Sequence, residues 1–246
     1  MRYFLEFAYK GTNYHGWQYQ PNAISVQETL NKAISIILKK EIDLVGAGRT
    51  DTGVHAKQMF AHFDYDLEIE IPYLIHKLNS FLPKDIAILN IHHVNDDAHA
   101  RFDATKRTYQ YHIHTLKDAF ESDDSWYCLN NLNVRLMNEA CKILYNYTDF
   151  ECFSKVHTDV NTFNCKIHEA NWKQIDDKLI FTISADRFLR NMVRAIVGTM
   201  INIGLEKVSL LDLNKIIESK DRNKAGFSVP AHGLYLTKVE YNYINK

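Results

Sequence analysis

One order of hydrophobic periodicities occurs twice along this chain, and it limits the fold more than any other feature. Residues 1–103 read strand, helix, strand, strand, helix, strand, and residues 104–246 repeat that order with one further short helix before the last strand. In the first half, Arg2 to Tyr9 alternates as a strand that turns at Gly11. Ser25-x-x-Glu28 is a capping box ahead of Val26, Leu30, Ala33 and Ile37 at helical spacing, with Lys39 and Lys40 at the negative end of the helix dipole. Ile42 to Val45 and Lys57 to Asp66 predict strands on either side of a glycine loop, the second showing Met59, Ala61, Phe63 and Tyr65 on one face. A helix over Pro72 to Phe81 and a strand over Ile86 to Val94 complete the unit.

The second half begins with a strand over Lys106 to Thr115. A helix over Val134 to Tyr147 follows, with Asn133 as its cap. Residues 165–185 predict a hairpin turning at Asp176-Asp177, and Phe188 to Ile203 a further helix. Ser209-x-x-Asp212 is a capping box for a short helix, and Leu234 to Tyr243 a closing strand. The prediction is therefore an α+β chain of two tandem ferredoxin-like (β-α-β-β-α-β) half-domains. The boundary falls within residues 96–105, no long Gly/Ser linker separates the halves, and they are expected to pack together rigidly.

A net charge of −1 argues at first against a polyanionic partner. The distribution argues otherwise. Acidic residues collect in "DYDLEIE", "ESDD" and "DD", while Arg101, Lys106 and Arg107 crowd one segment and Arg187, Arg190 and Arg194 another, which permits a basic cleft on a nearly neutral protein. The four cysteines form no C-x-x-C pair and read as reduced thiols. The twelve histidines lack metal-ligand spacing, so no metal is expected. Arg194 interrupts the longest apolar run, and the N-terminus lacks a signal-peptide h-region, so no membrane association is expected and the chain reads as cytoplasmic.

Three stretches carry chemistry. In "GAGRTDTGVHA", Gly46 to Ala56, Asp51 occupies the place where a dinucleotide loop needs its third glycine, and a carboxylate there repels a pyrophosphate. Arg49 and Asp51 project to the same side of an extended backbone, so the guanidinium keeps the carboxylate ionised for use as a nucleophile or base. The same residues also suit a plain structural turn. In "HARFDATKRTYQYHI", Arg107, Tyr109 and Tyr111 share a strand face, which suits a phosphate beside an unstacked base and equally an amphipathic strand packed on a core. In "DRFLRNMVRAIVGTM", Leu189, Met192, Val193, Ile196 and Met200 form one helical face, with Arg187, Arg190 and Arg194 opposite. A solvated stripe accounts for the arginines. Yet Val197 and Ile201 flank Arg194, which predicts that it is partly buried and in need of an anion, Asp51 or an RNA phosphate.

Taken together, "GRTDTGVHA", "ARFDATKRTYQY", "FLRNMVRAIVGTM" and "VPAHGLYL", with the earlier "YHGWQYQP" and "SVQ", resemble the ordered motifs of the bacterial tRNA pseudouridine synthase A family from about residue 3 to 241. The resemblance implies the pseudouridine synthase fold, two half-domains sharing a mostly antiparallel sheet across a basic cleft, working as a homodimer on tRNA without metal or cofactor. The implied reaction isomerises uridine to pseudouridine in the anticodon stem-loop, at the family's tRNA positions 38, 39 and 40. On that resemblance Asp51 is the nucleophile, Arg49 occupies the space a flipped base vacates, Tyr109 stacks on that base, Arg194 pairs with Asp51 and Leu234 closes the pocket. Arg107, Arg187 and Arg190 join Tyr109 and Leu234 as substrate-binding residues. The glycines around Asp51 are expected to let backbone and RNA approach closely. The sequence departs from the family pattern at Thr52 and at Ser228-Val229, neither a reacting group. Two rivals differ in class: a non-catalytic RNA-binding protein with two ferredoxin-like units, which leaves Asp51 unexplained, and a glycosidase, which needs a second carboxylic acid about 5–9.5 Å away.

Overall fold

The computed structural model describes residues 1–156 and 160–244. The chain forms two compact units: Met1–Thr105 together with the segment from Tyr235 onward, and Lys106–Leu234. The sequence-based division at 103/104 differs chiefly in the last strand, which the sequence assigned to the second half. Both units are α+β with mostly antiparallel pairing.

In the first unit β1 (Arg2–Tyr9) lies between β3 (His55–Asp64) and β4 (Ile86–Val94), antiparallel to both. The short β2 (Val45–Gly46) pairs with β3, giving the order β4-β1-β3-β2 of a split β-α-β motif. The last strand, β9 (Leu234–Glu240), runs parallel to β3 through His55 opposite Tyr235 and Ala56 opposite Leu236. Helix α1 (Val26–Leu38) is capped by Ser25, whose Oγ accepts from the Glu28 amide at 3.2 Å, and α2 (Ile71–Phe81) packs against it and against β4.

Two expectations change here. The strand Ile42 to Val45 shrinks to Val45–Gly46, because α1 captures the backbone that precedes it. Ser35 Oγ accepts from the Ile42 amide, Asn31 Oδ1 accepts from the Leu44 amide and Gln27 Nε2 donates to the Leu44 carbonyl. Those groups are satisfied without a neighbouring strand. And β3 is buried on both faces from Met59 through Phe63, not on one. The second face is covered by Tyr241, edge-on to Phe4 at 5.3 Å and to Phe60 at 5.1 Å, with its hydroxyl donating to the Ala100 carbonyl at 2.6 Å.

In the second unit β5 (Lys106–His114), β8 (Lys178–Ala185) and β7 (Ile167–Ile175) pair antiparallel in that order, and the β7–β8 turn is made by Asp176 at φ 52 with Asp177. An unanticipated short strand, β6 (Trp126–Tyr127), lies parallel to β5. Helix α3 (Val134–Leu144) starts at the Asn133 cap and packs on β7 and on α4 (Met192–Gly204). Helix α5 (Leu210–Ser219) carries the complete Ser209/Asp212 capping box. All four cysteines are free and buried.

The helix expected from Phe188 starts only at Met192. Asn191 sits at φ 68, a left-handed conformation that cannot continue a right-handed helix and that asparagine tolerates better than most residues. Arg187 and Arg190 therefore precede α4 and do not share a helical face with Arg194. Eleven of the thirteen residues of α4 are buried, all but Arg194 and Asn202, so the helix offers no solvated stripe.

Candidate active site

Asp51 lies in the loop that joins β2 to β3. After Gly46 the chain leaves the ladder with one more bond, from the Ala47 amide to the Phe60 carbonyl at 2.8 Å. The next residues are held by the segment 9–17 rather than by ladder bonds. The Trp17 amide donates to the Thr50 carbonyl at 3.4 Å, the Gly53 amide to the Tyr14 carbonyl at 3.3 Å, and Tyr9 and Thr50 share a hydroxyl–hydroxyl bond of 2.8 Å. The Val54 amide closes the turn on the Asp51 carbonyl at 3.2 Å, and the Gly11 amide donates to Nδ1 of the buried His55. Asp51 is half-buried between exposed Arg49 and Thr52.

The glycines of the loop mostly serve this chain-to-chain fit. Gly46 faces the Trp17 indole, where a methyl would stand 2.5 Å from the ring, and Gly53 adopts φ 79. Opposite them Gly16, at φ 84, brings its own backbone against Thr50. Gly48 faces open space. At Gly46 the close approach expected of these glycines is made by the protein's own Trp17.

The other predicted site residues lie in the second unit. On β5, the Arg107 Nη1 donates to the Asp186 carbonyl at 2.8 Å. Half-buried Tyr109 meets Phe188 edge-on, ring centroids 5.2 Å apart at 88°. Tyr111 does not extend this surface: it is fully buried and its hydroxyl donates to the Pro230 carbonyl at 2.8 Å, so one of the two rings expected to face a base belongs to the core. Arg187 is half-buried and Arg190 exposed, both on the irregular segment before α4, which Asp186 pins by accepting the Arg187 and Lys166 amides on its carboxylate. Leu234, buried, follows the turn Ala231–Gly233.

Arg194, on the first turn of α4, is half-buried as expected. Its Nε donates to the Val229 carbonyl at 2.7 Å, and the Val229 amide returns to the Arg194 carbonyl at 3.3 Å. Sequence reasoning missed Asp186, Trp17 and Tyr9. The first carried a readable signal, an aspartate directly after a strand, which favours a side-chain-capped turn. Trp17 lay within the quoted "YHGWQYQP" and Tyr9 at the end of the first predicted strand, and neither carried a signal for this clamp. Among the described residues no group of three or more His, Cys, Asp or Glu side chains is placed to hold a metal ion, and no helix is long and apolar enough to cross a membrane.

A family model for tRNA pseudouridine synthase matches residues 7–103 and 140–242. The chain belongs to the tRNA pseudouridine synthase family. A Bacteroides fragilis protein named tRNA pseudouridine synthase A is 53% identical over 242 residues, which cover 98% of this chain and 96% of its own. Proteins of the same name from Parabacteroides distasonis and Clostridium acetobutylicum are 51% and 43% identical, over 98% and 96% of this chain and 96% and 98% of theirs. The synthase family match contains Asp51, Arg49, Arg187, Arg190, Arg194 and Leu234. Arg107 and Tyr109 lie in the stretch between its two parts, which the full-length relatives span.

Proposed function

We propose that this chain isomerises uridine to pseudouridine in the anticodon stem-loop of tRNA, with Asp51 as nucleophile and without metal or organic cofactor. The reaction breaks the N1–C1′ bond, joins C1′ to C5, and moves one proton from C5 to N1, so it is redox-neutral. Attack of the Asp51 carboxylate on C1′ or on the uracil ring gives a covalent adduct from which the base can rejoin through C5. The target atoms are stacked in RNA, so the nucleotide is extruded first, and exposed Arg49 takes the vacated place. Tyr109 stacks on the flipped base, Leu234 closes the pocket behind it, and Arg194 supplies the cation that keeps the reacting carboxylate ionised. Arg107, Arg187 and Arg190 meet phosphates. The enzyme acts in the cytoplasm as a homodimer.

The observation that carries this reading is Asp51 itself. A half-buried carboxylate in a loop clamped by Tyr9, Tyr14 and Trp17 is held still while its neighbours Arg49 and Thr52 stay exposed to a substrate. A non-catalytic RNA binder has no use for such a carboxylate. The test is Asp51→Asn with unmodified tRNA, nucleoside mass analysis and mapping of the modified positions. The amide keeps the shape and removes the nucleophile, so the variant is expected to fold, bind tRNA and form no detectable pseudouridine. Measurable turnover by the purified variant refutes the assignment.

A further inference from the structure

Residues 226–230 form an irregular strap across α4. The Gly226 amide donates to Thr199 Oγ1 at 2.8 Å, and the two backbones touch so closely that a methyl on Gly226 would stand 2.5 Å from the Gly198 carbonyl carbon. At the other end Tyr111 Oη donates to the Pro230 carbonyl at 2.8 Å. The middle is held by one hydroxyl. Ser228 Oγ accepts from Asn191 Nδ2 at 2.7 Å and from Arg222 Nη2 at 3.0 Å, while Arg222 Nη1 donates to the Gly226 carbonyl at 2.9 Å.

We propose that Ser228 and Arg222 are positioning residues for Arg194, fixing the strap that aims its guanidinium. The inference rests on the reading of Arg194 as the cation of the reaction. An arginine side chain has several rotatable bonds, and its attachment to a helix leaves the direction of its head undetermined. Here the Val229 carbonyl takes the Nε proton at 2.7 Å and so fixes one edge of the guanidinium. Val229 has no ladder of its own to keep it in place. Beside its own amide bond to the Arg194 carbonyl, its place rests on neighbouring Ser228, whose two acceptor sites are both occupied, one by Asn191, the cap of α4, and one by Arg222, shortly after α5. The same oxygen thus ties the backbone that carries Arg194 to the strap that orients it.

The test measures pseudouridine formation on unmodified tRNA with the full-length chain, kcat and KM separately, well below the melting temperature of each variant. Ser228→Ala is expected to lower kcat on the order of ten- to a hundredfold, the scale of a misplaced catalytic group, with KM changed less than about twofold. Ser228→Thr, which keeps the acceptor oxygen, recovers most of the loss. Arg222→Lys replaces the two-nitrogen fork with one shorter-reaching ammonium, loses the paired geometry and shows the same kcat loss, which covers the case that Ser228→Ala does not fold. A purely structural role would lower the melting temperature and leave kcat per folded molecule intact. Normal kcat in Ser228→Ala and Arg222→Lys beside an impaired Arg194→Ala overturns the positioning role alone. Full turnover by Arg194→Ala overturns it together with the reading of Arg194.

Discussion

A single methyl at Gly16 is expected to disable the enzyme while leaving it folded. Gly16 lies at φ 84, and a Cβ there would be driven into the Thr50 carbonyl oxygen, with the Asp51 carbonyl carbon 3.1 Å away and the Thr50 carbonyl carbon 3.2 Å away. The Thr50 peptide must withdraw by roughly 1 Å to restore ordinary contact. That peptide leads directly into Asp51, so the carboxylate moves with it. Misplacement on this scale costs on the order of a hundredfold in kcat. Stability suffers less: a left-handed alanine and local overpacking together cost about 3 kcal/mol. In a chain of this length that lowers Tm by roughly 6–12 °C. The assay is kcat at saturating tRNA at 25 °C, with thermal unfolding of the same preparation. Gly48→Ala is the control for stability, since Gly48 faces open space and its variant should unfold with the wild type. A Gly16→Ala variant with wild-type kcat would show that the loop's clamp does not govern the carboxylate.

Arg187→Ala and Arg190→Ala should each flatten the plot of log tRNA affinity against log salt by roughly one unit, as expected for one lost phosphate contact apiece. Arg194→Ala should instead lower saturated turnover with a smaller change in slope, and the reverse pattern returns Arg194 to phosphate binding. Tyr109→Phe should keep tRNA affinity and lose much of the activity, because only the phenol is removed; full activity leaves Tyr109 with a packing role. His62 is buried, its Nδ1 accepts from the Ala100 amide, and burial pushes its pKa down to about 4. The unfolded chain then binds the extra proton between its ordinary value near 6.5 and about 4, so stability is lost as pH falls through that window, by about 3 kcal/mol in all. Urea midpoints at pH 7 and pH 4.5 measure it, and His62→Asn, which keeps an acceptor for Ala100, should reduce the difference, with His99 and His232, also pushed down by burial, supplying a remainder; an unchanged acid dependence in that variant refutes the assignment to His62.

Local sequence settled the elements whose signals are local. The Ser25 and Ser209 caps, the Asn133 cap and the hairpin at Asp176 all stand where side-chain chemistry placed them, because each acts within three or four residues. The Gly-flanked Asp51 loop was visible for the same reason: a carboxylate stands where a dinucleotide-binding loop needs its third glycine. Tertiary contacts decided the rest. Whether Ile42 to Leu44 form a strand depended on Asn31, Gln27 and Ser35 reaching their backbone from α1. Whether Arg187 and Arg190 joined Arg194 on a helix depended on Asn191, whose left-handed φ accompanies a bond to Ser228 thirty-seven residues away. Tyr111 resembled Tyr109 in sequence, but in the fold it packs on Trp126 and against Gly233 while its hydroxyl donates to the Pro230 carbonyl. Periodicity can say which face of an element is apolar, but not which distant backbone will satisfy its polar groups, because that partner exists only once the chain has folded.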